Sequence, residues 1–540
     1  MPHITVDDQS YEVPDGRTIL QALDELGLLM SGVDVPHYCW HPKLSVDGSC
    51  RLCQVEVEGL PKLQIACNTP VKEGMVVRTT SERVRKAREG VMELLLVNHP
   101  LDCPICDQAG ECKLQDYAFE YGTPHARSRE PRRALKKKVD LGPTIVFDQE
   151  RCILCRRCVR FCREVPGTGE LVVQGRGDRS VIETAPDQPL ANDYSMNVAD
   201  ICPVGALTTK DFRFKIRVWF LEDVPGVCTG CANGCNVHLG VASNKVYRYV
   251  PRRNDAVNDT WMCDAGRLSY KEIGAPDRLR EAQLRDAAGR LVTASLDAAL
   301  DEAAARIRRA VSAGGPGAVA ALASPHATNE DLFTLRRFLE ALGSGAAAGF
   351  AVETGRADAL LLKAEKAANA AGARALGFGP AAPVLERIRS GGARTLIALG
   401  HDVLGPAHGT SQGLAPGASE ELLRGLDTLI LLDSHHSALE RVAHVVLPAR
   451  VAAEKHGTLT NHAGRVQRVE PAVEPAHVAL AEGEALTRIG QRLSLPGFAP
   501  GPWDAREVSK FIGEVVPAFR GIDLDSVGAE GKPLGPGASA

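Results

Sequence analysis

The second half of this chain contains no cysteine, whereas the first half contains sixteen. All of them lie between Cys39 and Cys263. A secreted disulfide scaffold is usually short and made with a signal peptide, but the first thirty residues lack a charged segment followed by an apolar one. Clustered cysteines in a reducing compartment are more often metal ligands. The distribution therefore predicts a metal-rich first half and a metal-free second half.

Other absences narrow the function further. No run of eighteen apolar residues occurs, so we expect a cytosolic chain without direct membrane insertion, linked to a membrane only through partners. The net charge of −4 leaves no overall nucleic-acid footprint. The chain has no GxGxxG segment after a strand, no Walker loop and no evident nucleophile–base pair or flavin site. We therefore predict no independent substrate site.

The first ligand set is Cys39, Cys50, Cys53 and Cys67. Three cysteines on one loop and a fourth on a distant strand form the arrangement that holds a [2Fe–2S] cluster. The plant-type loop spaces its first pair by four residues, whereas ten separate them here. A zinc ribbon is the alternative, although ribbons normally use two CxxC knuckles and this set has one.

The second ligand set is His99, Cys103, Cys106 and Cys112. Imidazole and thiolate suit both zinc and iron–sulfur clusters, so this set taken alone leaves the two open. His99 stands where a helical pattern stops, because Pro100 forbids another turn.

Apolar periodicity predicts the elements around these two sets. A hairpin is expected with strands at Ile4–Val6 and Tyr11–Val13, a helix from Ile19 to about Gly27, and strand segments at 55–57 and 63–65. A longer helix is expected after a Ser81 cap. Its apolar stripe consists of Val84, Ala87, Val91, Leu94 and Leu95.

The third region begins with the bacterial ferredoxin run Cys152, Cys155, Cys158 and Cys162. A two-cluster ferredoxin carries this run twice, but here only the Cys202-Pro203 ending of the second copy is present. The other three positions of that copy hold Asn192, Ser195 and Val198. We predict one [4Fe–4S] cluster on Cys152, Cys155, Cys158 and Cys202, with Cys162 as a free structural cysteine.

The fourth ligand set is Cys228, Cys231, Cys235 and Cys263. Its remote fourth ligand suits a [4Fe–4S] cluster, and structural zinc is the alternative. The four sets use fifteen of the sixteen cysteines, which leaves Cys162 alone.

A basic connector, residues 123–143, separates the second and third sets. It is either a solvated linker or an electrostatic contact with an acidic partner or with the anionic clusters. Its cationic residues are Arg127, Arg129, Arg132, Arg133, Lys136, Lys137 and Lys138.

The second half alternates short apolar runs with helical segments, which predicts a parallel α/β sheet. A helix is expected to begin at Thr328 or Asn329. Residues 345–375 and 528–540 are expected to form loop, weak helix or tail, and His435, His436, His456 and His462 to be surface or loop residues. The expected strands are Ala318–Ser324, Thr395–Leu399, Thr428–Leu432 and Val442–Leu447.

The ordered ligand sets resemble the large iron–sulfur subunit of respiratory complex I, the bacterial NADH–quinone oxidoreductase, over residues 1–267. The resemblance implies one [2Fe–2S] cluster on the first set and three [4Fe–4S] clusters on the others. By this resemblance, the second set of the chain contributes His99 as a ligand, and the cluster of the fourth set occurs only in some bacterial members and lies off the main electron route. Residues 446–468 are similar to molybdopterin oxidoreductases. The missing cysteine ligand and the short length imply a structural remnant without molybdopterin.

The resemblance also implies a multidomain α+β and α/β fold. The implied domains are a β-grasp [2Fe–2S] ferredoxin domain at 1–80, a histidine-ligated [4Fe–4S] segment at 81–122, the connector at 123–143, a bacterial-ferredoxin-like [4Fe–4S] domain at 144–220, a molybdenum/tungsten-oxidoreductase-type [4Fe–4S] domain at 221–277 and a degenerate molybdopterin-oxidoreductase-like α/β domain at 278–540.

The function implied is electron transfer within complex I, peripheral on the cytoplasmic side of the membrane. An NADH-oxidising flavoprotein subunit would supply single electrons to the two-iron cluster and the Cys152 cluster. They would leave through the His99 cluster towards quinone-side iron–sulfur subunits. The alternatives are a subunit of an NAD-linked formate dehydrogenase or hydrogenase, which needs further cysteine ligands, and a zinc-stapled scaffold.

Overall fold

The computed structural model describes residues 1–29, 33, 35–125, 127–345, 347–400, 403–404, 415, 417–475 and 477–535. The chain divides into two compact units, residues 1–221 and 222–540. Among the described helices, none combines the length and the apolar character needed to cross a bilayer.

The first unit begins with a five-stranded sheet that packs against one helix. The strands are β1 (His3–Val6), β2 (Gln9–Glu12), β3 (Gln54–Val57), β4 (Gln64–Ile65) and β5 (Met75–Arg78), and the helix is α1 (Ile19–Glu25). The sheet order is β2–β1–β5–β3–β4, with β1 and β5 parallel and the other pairs antiparallel. This is the β-grasp arrangement predicted for the N-terminal domain.

The predicted hairpin and short helix are confirmed, with adjusted ends. Ile4 pairs with Tyr11 across the hairpin. Helix α1 starts at a capping box built on Thr18 and ends at Glu25, two residues before Gly27. Leu63 lies outside β4, so the strand segment predicted at 63–65 began one residue too early.

Two helices carry the second ligand set: α2 (Glu82–Leu96) and α3 (Lys113–Tyr121). The Ser81 hydroxyl accepts a hydrogen bond from the Val84 amide, as predicted for the cap. The predicted apolar stripe was partly wrong, because Leu94 is 77% exposed while Arg88 and Met92 are buried. Arg88 stands outside the predicted stripe, and its guanidinium has hydrogen-bond partners on other elements.

Arg88 links three elements of the first unit. Its Nη1 donates to the Tyr121 hydroxyl on α3 at 2.9 Å, and its Nη2 donates to the Gln54 carbonyl on β3 at 3.2 Å. The guanidinium carbon also lies 5.3 Å from the centre of the Tyr121 ring. These contacts let α2 bury a charged residue that stands outside the predicted apolar stripe.

The ferredoxin-like part of the first unit consists of small sheets and short helices. The elements are β6 (Val139–Asp140), β7 (Ile145–Phe147), α4 (Arg157–Glu164), β8 (Leu171–Gln174), β9 (Val181–Thr184), α5 (Asn197–Asp200) and β10 (Leu207–Thr209). A three-stranded antiparallel sheet has the order β10–β7–β6, and β8 and β9 form a hairpin.

The second unit begins with an antiparallel three-stranded sheet that frames the fourth ligand set. Its strands are β11 (Glu222–Val227), β12 (Asn236–Ala242) and β13 (Lys245–Pro251), followed by helix α6 (Asp264–Leu268).

An eight-stranded sheet forms the main body of the second unit. Its strands are β14 (Ala282–Arg285), β15 (Leu291–Ala294), β16 (Val319–Ala323), β17 (Ala348–Phe350), β18 (Gly379–Pro380), β19 (Thr395–Leu399), β20 (Thr428–Asp433) and β21 (Val445–Pro448). Their order is β15–β14–β21–β20–β19–β16–β17–β18, parallel from β21 to β18, with β14 and β15 antiparallel at one edge.

Both faces of this sheet are buried, as expected for parallel strands with apolar runs. Alternate residues of each strand enter two separate cores: Ile397 and Ile430 lie in one, and Leu396 and Leu429 in the other. The helices are α7 (Leu296–Gly314), α8 (Asn329–Leu342), α9 (Ala370–Ala375), α10 (Ala382–Arg389), α11 (Glu420–Arg424), α12 (Glu482–Arg492) and α13 (Ala505–Val515).

The predicted parallel α/β sheet is confirmed, and Thr328 is the cap of α8. The last predicted strand began too early, since a short helix at Ala438–Arg441 precedes β21. Residues 345–375, one of the segments expected to be loop, weak helix or tail, contain β17 and α9. The other, residues 528–540, contains β24 (Lys532–Pro533), which pairs in a further sheet with β22 (Gly457–Thr460) and β23 (Arg465–Val469). Residues 346 and 536–540 lie outside the described part of the chain.

Candidate metal centres

The four cysteines of the first set converge at one end of the β-grasp sheet. Cys53 immediately precedes β3, and Cys67 follows β4. The Cys50 and Cys67 thiols contact Cys39 and lower its pKa, and Cys67 likewise lowers the pKa of Cys53. Arg51, between Cys50 and Cys53, has φ +58°. Such a left-handed non-glycine residue curls the loop and is common where a site imposes the backbone path.

The second set lies between the end of α2 and the start of α3. The His99 amide donates to the Leu96 carbonyl, which holds the residue against the helix end. Of its three cysteines, Cys103 is exposed, Cys106 is buried and Cys112 is half-buried. Burial and the charge of Arg151 lower the pKa of His99 to about 4. The ring is therefore neutral near pH 7, which is the form that binds a metal.

A network of charged groups surrounds this loop. Arg151 Nη2 donates to Asp102 Oδ2 at 2.9 Å, and its Nε lies 3.3 Å from Asp148 Oδ2. Lys137 Nζ lies 2.7 Å from Asp102 Oδ2, 3.3 Å from Asp148 Oδ2 and 2.7 Å from Glu150 Oε2. Lys137 of the basic connector is thus paired inside the chain, as is Arg127, which contacts Glu93.

The third set surrounds a small cavity. It is lined by Cys152, Cys155, Cys158 and Cys202 together with apolar side chains, Arg156 and Arg157. The Leu154 amide donates to Cys152 Sγ at 3.4 Å, and Leu154 and Arg156 both have left-handed φ values. Burial raises the pKa of all four thiols, that of Cys202 to about 12.

The fourth thiol of the original ferredoxin run is not among the residues that line this cavity. Cys162 is fully buried. Burial and the neighbouring Glu170 raise its pKa to about 12. Asn192, at a lost ligand position, donates to Glu170 Oε1 at 2.9 Å. Asn192 and Glu170 thus form a hydrogen-bonded pair at one of the positions where the second copy of the ferredoxin run would carry a cysteine.

The second and third sets meet at the loop after Cys202. The Lys113 amide donates to the Pro203 carbonyl at 3.1 Å, and Cys112 Sγ lies 3.9 Å from the same oxygen. A Cβ added at Gly205 would lie 2.3 Å from Cys106 Sγ. Glycine is therefore needed where one ligand loop touches the other.

The fourth set is held by both the small sheet and the segment similar to molybdopterin oxidoreductases. Asn233 Nδ2 donates to Cys235 Sγ at 3.1 Å, and the Gly266 amide donates to Cys263 Sγ at 3.3 Å. Asn461 Nδ2 donates to the Asn233 carbonyl at 3.2 Å, and Gln467 Nε2 to the Gly234 carbonyl at 3.0 Å. The sequence did not reveal that residues 461–467 support this loop.

These surroundings fit iron–sulfur clusters. Amide donors and close glycines face the sulfurs, and a metal removes the protons that burial keeps on isolated thiols.

Five family models match successive parts of the chain. Residues 2–82 match a 2Fe-2S iron–sulfur cluster binding domain, and residues 88–127 match the NADH-ubiquinone oxidoreductase-G iron–sulfur binding region. Residues 142–208 match the ferredoxin-like domain of NADH-quinone oxidoreductase subunit 3, and residues 224–271 the NDSU1/NuoG-like 4Fe-4S domain of NADH-ubiquinone oxidoreductase. Residues 364–479 match the molybdopterin oxidoreductase model.

Curated relatives agree with these matches. The chain is 42% identical over 308 residues to the G subunit of the NADH-quinone oxidoreductase of Rickettsia bellii, which covers 57% of this chain and 44% of the relative. It is 42% identical over 292 residues to the mitochondrial NADH dehydrogenase [ubiquinone] iron-sulfur protein 1 of Solanum tuberosum, covering 54% and 39%. The matched region spans less than half the length of either relative.

One solved structure shows a more limited likeness. A chain of the NAD+-reducing [NiFe]-hydrogenase in the H2-reduced state is 31% identical, with 40% of this chain and 91% of that chain covered and a TM-score of 0.36. A score this low carries no structural conclusion. The resemblance to the large iron–sulfur subunit of complex I is confirmed, as is the predicted order of iron–sulfur and molybdopterin-oxidoreductase-like domains.

Proposed function

We propose that this chain carries single electrons between iron–sulfur clusters as a subunit of an NADH–quinone oxidoreductase. The observation that carries the proposal is the order of the ligand sets. Each of the four lies within a matched iron–sulfur domain, and three of those domains are described as parts of this enzyme. Clusters whose irons are all held by protein ligands exchange electrons and leave no iron free for substrate.

The proposed cofactors are one [2Fe–2S] cluster and three [4Fe–4S] clusters. The two-iron cluster belongs to the β-grasp domain, and the histidine-ligated cluster to the segment between α2 and α3. No molybdopterin is expected. The ligands are Cys39, Cys50, Cys53 and Cys67 for the two-iron cluster, and His99, Cys103, Cys106 and Cys112, then Cys152, Cys155, Cys158 and Cys202, then Cys228, Cys231, Cys235 and Cys263 for the others.

The chain itself supplies position, donors and exclusion of water. Several predicted ligands adjoin regular elements that fix their backbone: Cys53 precedes β3, Cys112 precedes α3 and Cys263 precedes α6. Amide donors at Cys152, Cys235 and Cys263 stabilise negative sulfur. The proposed partners are an NADH-oxidising flavoprotein subunit and quinone-side iron–sulfur subunits, on the cytoplasmic side of the membrane.

The test is anaerobic purification of the assembled complex, followed by metal analysis and electron paramagnetic resonance after dithionite reduction. We expect iron and sulfide equivalent to one two-iron and three four-iron clusters in this chain, and no molybdenum bound to it. Serine variants of Cys53 and Cys158 should each remove one signal. Absence of paramagnetic signals, or zinc in place of iron, would refute the proposal.

A further inference from the structure

Two arginines of α4 lie where the first and third ligand sets meet. Arg157 follows Cys155 by two residues and begins the helix. Its Nη1 donates to the Ile201 carbonyl at 3.2 Å, and its Nη2 donates to the Trp40 carbonyl. Ile201 precedes Cys202, and Trp40 follows Cys39. One guanidinium therefore joins the loops that carry two different ligand sets.

Arg160 makes a second bridge one turn along the same helix face. Its Nη1 donates to the Ser45 carbonyl, and its Nη2 donates to the Cys39 carbonyl and, at 3.5 Å, to the Cys155 carbonyl. Positions three residues apart on a helix are neighbours, so the two cations act at the same junction. Arg160 is buried, and Arg157 is one of the residues that line the cavity of the third set.

Neither cation has a carboxylate partner within the described part of the chain. The Nε atoms of both side chains are buried and have no hydrogen-bond partner there. Other arginines nearby differ: Arg156 lies 3.2 Å from Asp47, and Arg151 lies 2.9 Å from Asp102. Burying two like charges without an anion is costly, so a counter-charge is expected at this junction.

Cysteines of both sets lie at this junction. Arg157 lines the cavity together with Cys155 and Cys202, and its Nη2 donates to the carbonyl of the residue that follows Cys39. A bound cluster with four thiolate ligands carries net negative charge, which increases when it accepts an electron.

We propose that Arg157 and Arg160 are the shared counter-charge of the first and third clusters and raise the midpoint potentials of both. The inference rests on the proposed function. A fixed cation in a poorly screened site stabilises the more negative, reduced form of each cluster. Both arginines contact ligand-loop carbonyls rather than reacting atoms, so they are positioning residues.

The experiment compares Arg157→Gln with wild type in the assembled complex, using potentiometric titration monitored by electron paramagnetic resonance. We expect the reduction constants of the first and third clusters to fall at least tenfold, equivalent to about 59 mV for one electron. The histidine-ligated cluster should keep its potential. Arg163→Gln, which removes an exposed cation from the last turn of the same helix and away from the cavity, is the matched control and should change neither potential.

Two results would overturn the inference. One is an Arg157→Gln complex with full iron content and unchanged potentials for both clusters, and the other is a shift confined to one cluster. Arg157→Lys keeps the charge but loses the two-pronged hydrogen bonding, so we expect lower thermal stability with potentials near wild type. If the glutamine variant fails to assemble, the lysine variant decides: retained potentials support the role of charge, and a tenfold fall contradicts it.

The outcomes remain distinct from a failure of the proposed function. A wild-type complex that lacks the two-iron and four-iron signals would defeat the proposed function itself. Signals that are present in wild type and unshifted in the variant would defeat only the role assigned to the two arginines.

Discussion

Substitution of Gly205 by alanine tests the contact between the second and third ligand sets. The added Cβ would lie 2.3 Å from Cys106 Sγ and 3.0 Å from Gln108 Cβ. At Gly230, in the fourth set, the corresponding distance to Cys228 Sγ is 3.7 Å, an ordinary contact. The Cβ added at Gly205 is therefore about 1.4 Å closer to its neighbouring sulfur than the Cβ added at Gly230, and the Cys106 sulfur or its loop must move.

The movement should disturb the histidine-ligated cluster before any other. Overpacking a filled site costs about 1–3 kcal/mol. In a unit of this size, each kcal/mol corresponds to roughly 2–4 °C in melting temperature. We expect Gly205→Ala to lose iron from the His99 set or to broaden its paramagnetic signal. The signal of the two-iron cluster in the same complex should remain as in wild type.

Gly230→Ala is the matched control, since it adds the same methyl group beside a ligand sulfur without overlap. It should retain full iron content and the wild-type melting temperature. The steric reasoning would be refuted if Gly205→Ala kept the His99 signal, iron content and melting temperature of wild type. It would also be refuted if the two alanine variants lost iron to the same extent.

Three further predictions concern single side chains. His99→Cys should keep a four-iron cluster but lower its midpoint potential, because a thiolate adds negative charge; an unchanged potential would contradict tuning by imidazole. Cys162→Ser should leave iron content unaltered, and loss of the third cluster would show that Cys162 is a ligand. Burial raises the pKa of Glu330 to about 7, while two hydrogen bonds from Thr458 favour its anionic form. Its folded pKa exceeds the usual value of 4.5, so its contribution to stability is full below about pH 4.5 and is lost as the pH rises through about 7. Glu330→Gln should therefore flatten the dependence of melting temperature on pH between about 5 and 8, and parallel curves would contradict this assignment.

Much of the fold was predictable where the chemistry of the residues leaves few alternatives. The strand Thr395–Leu399 was predicted with its observed ends, because a central parallel strand buried on both faces needs an uninterrupted apolar run. The Ser81 cap and the hairpin at the N-terminus were predictable because capping and turn formation depend on neighbouring residues. Local interactions of this kind are written in short stretches of sequence.

The charged residues of the core were not predictable in the same way. Hydropathy assigns Arg88 to the surface, yet its partners Tyr121 and Gln54 lie 33 and 34 residues away. Leu94 was assigned to the buried stripe because it is apolar, yet it is exposed. No local pattern shows which face of α2 other elements cover. The basic connector posed a similar problem, because Lys137 is paired with carboxylates from two other segments.

The sequence by itself determined which side chains are candidate ligands of metal centres, because clustered thiolates and imidazole in a reducing compartment are more often metal ligands than disulfides. It also determined the order of the ligand sets along the chain. Only the tertiary structure decided that Arg157 and Arg160 join the loops of the first and third ligand sets. It also decided that Gly205 leaves room for the Cys106 sulfur of the second set. Such contacts depend on backbone carbonyls and on excluded volume, which every residue possesses and which no motif records.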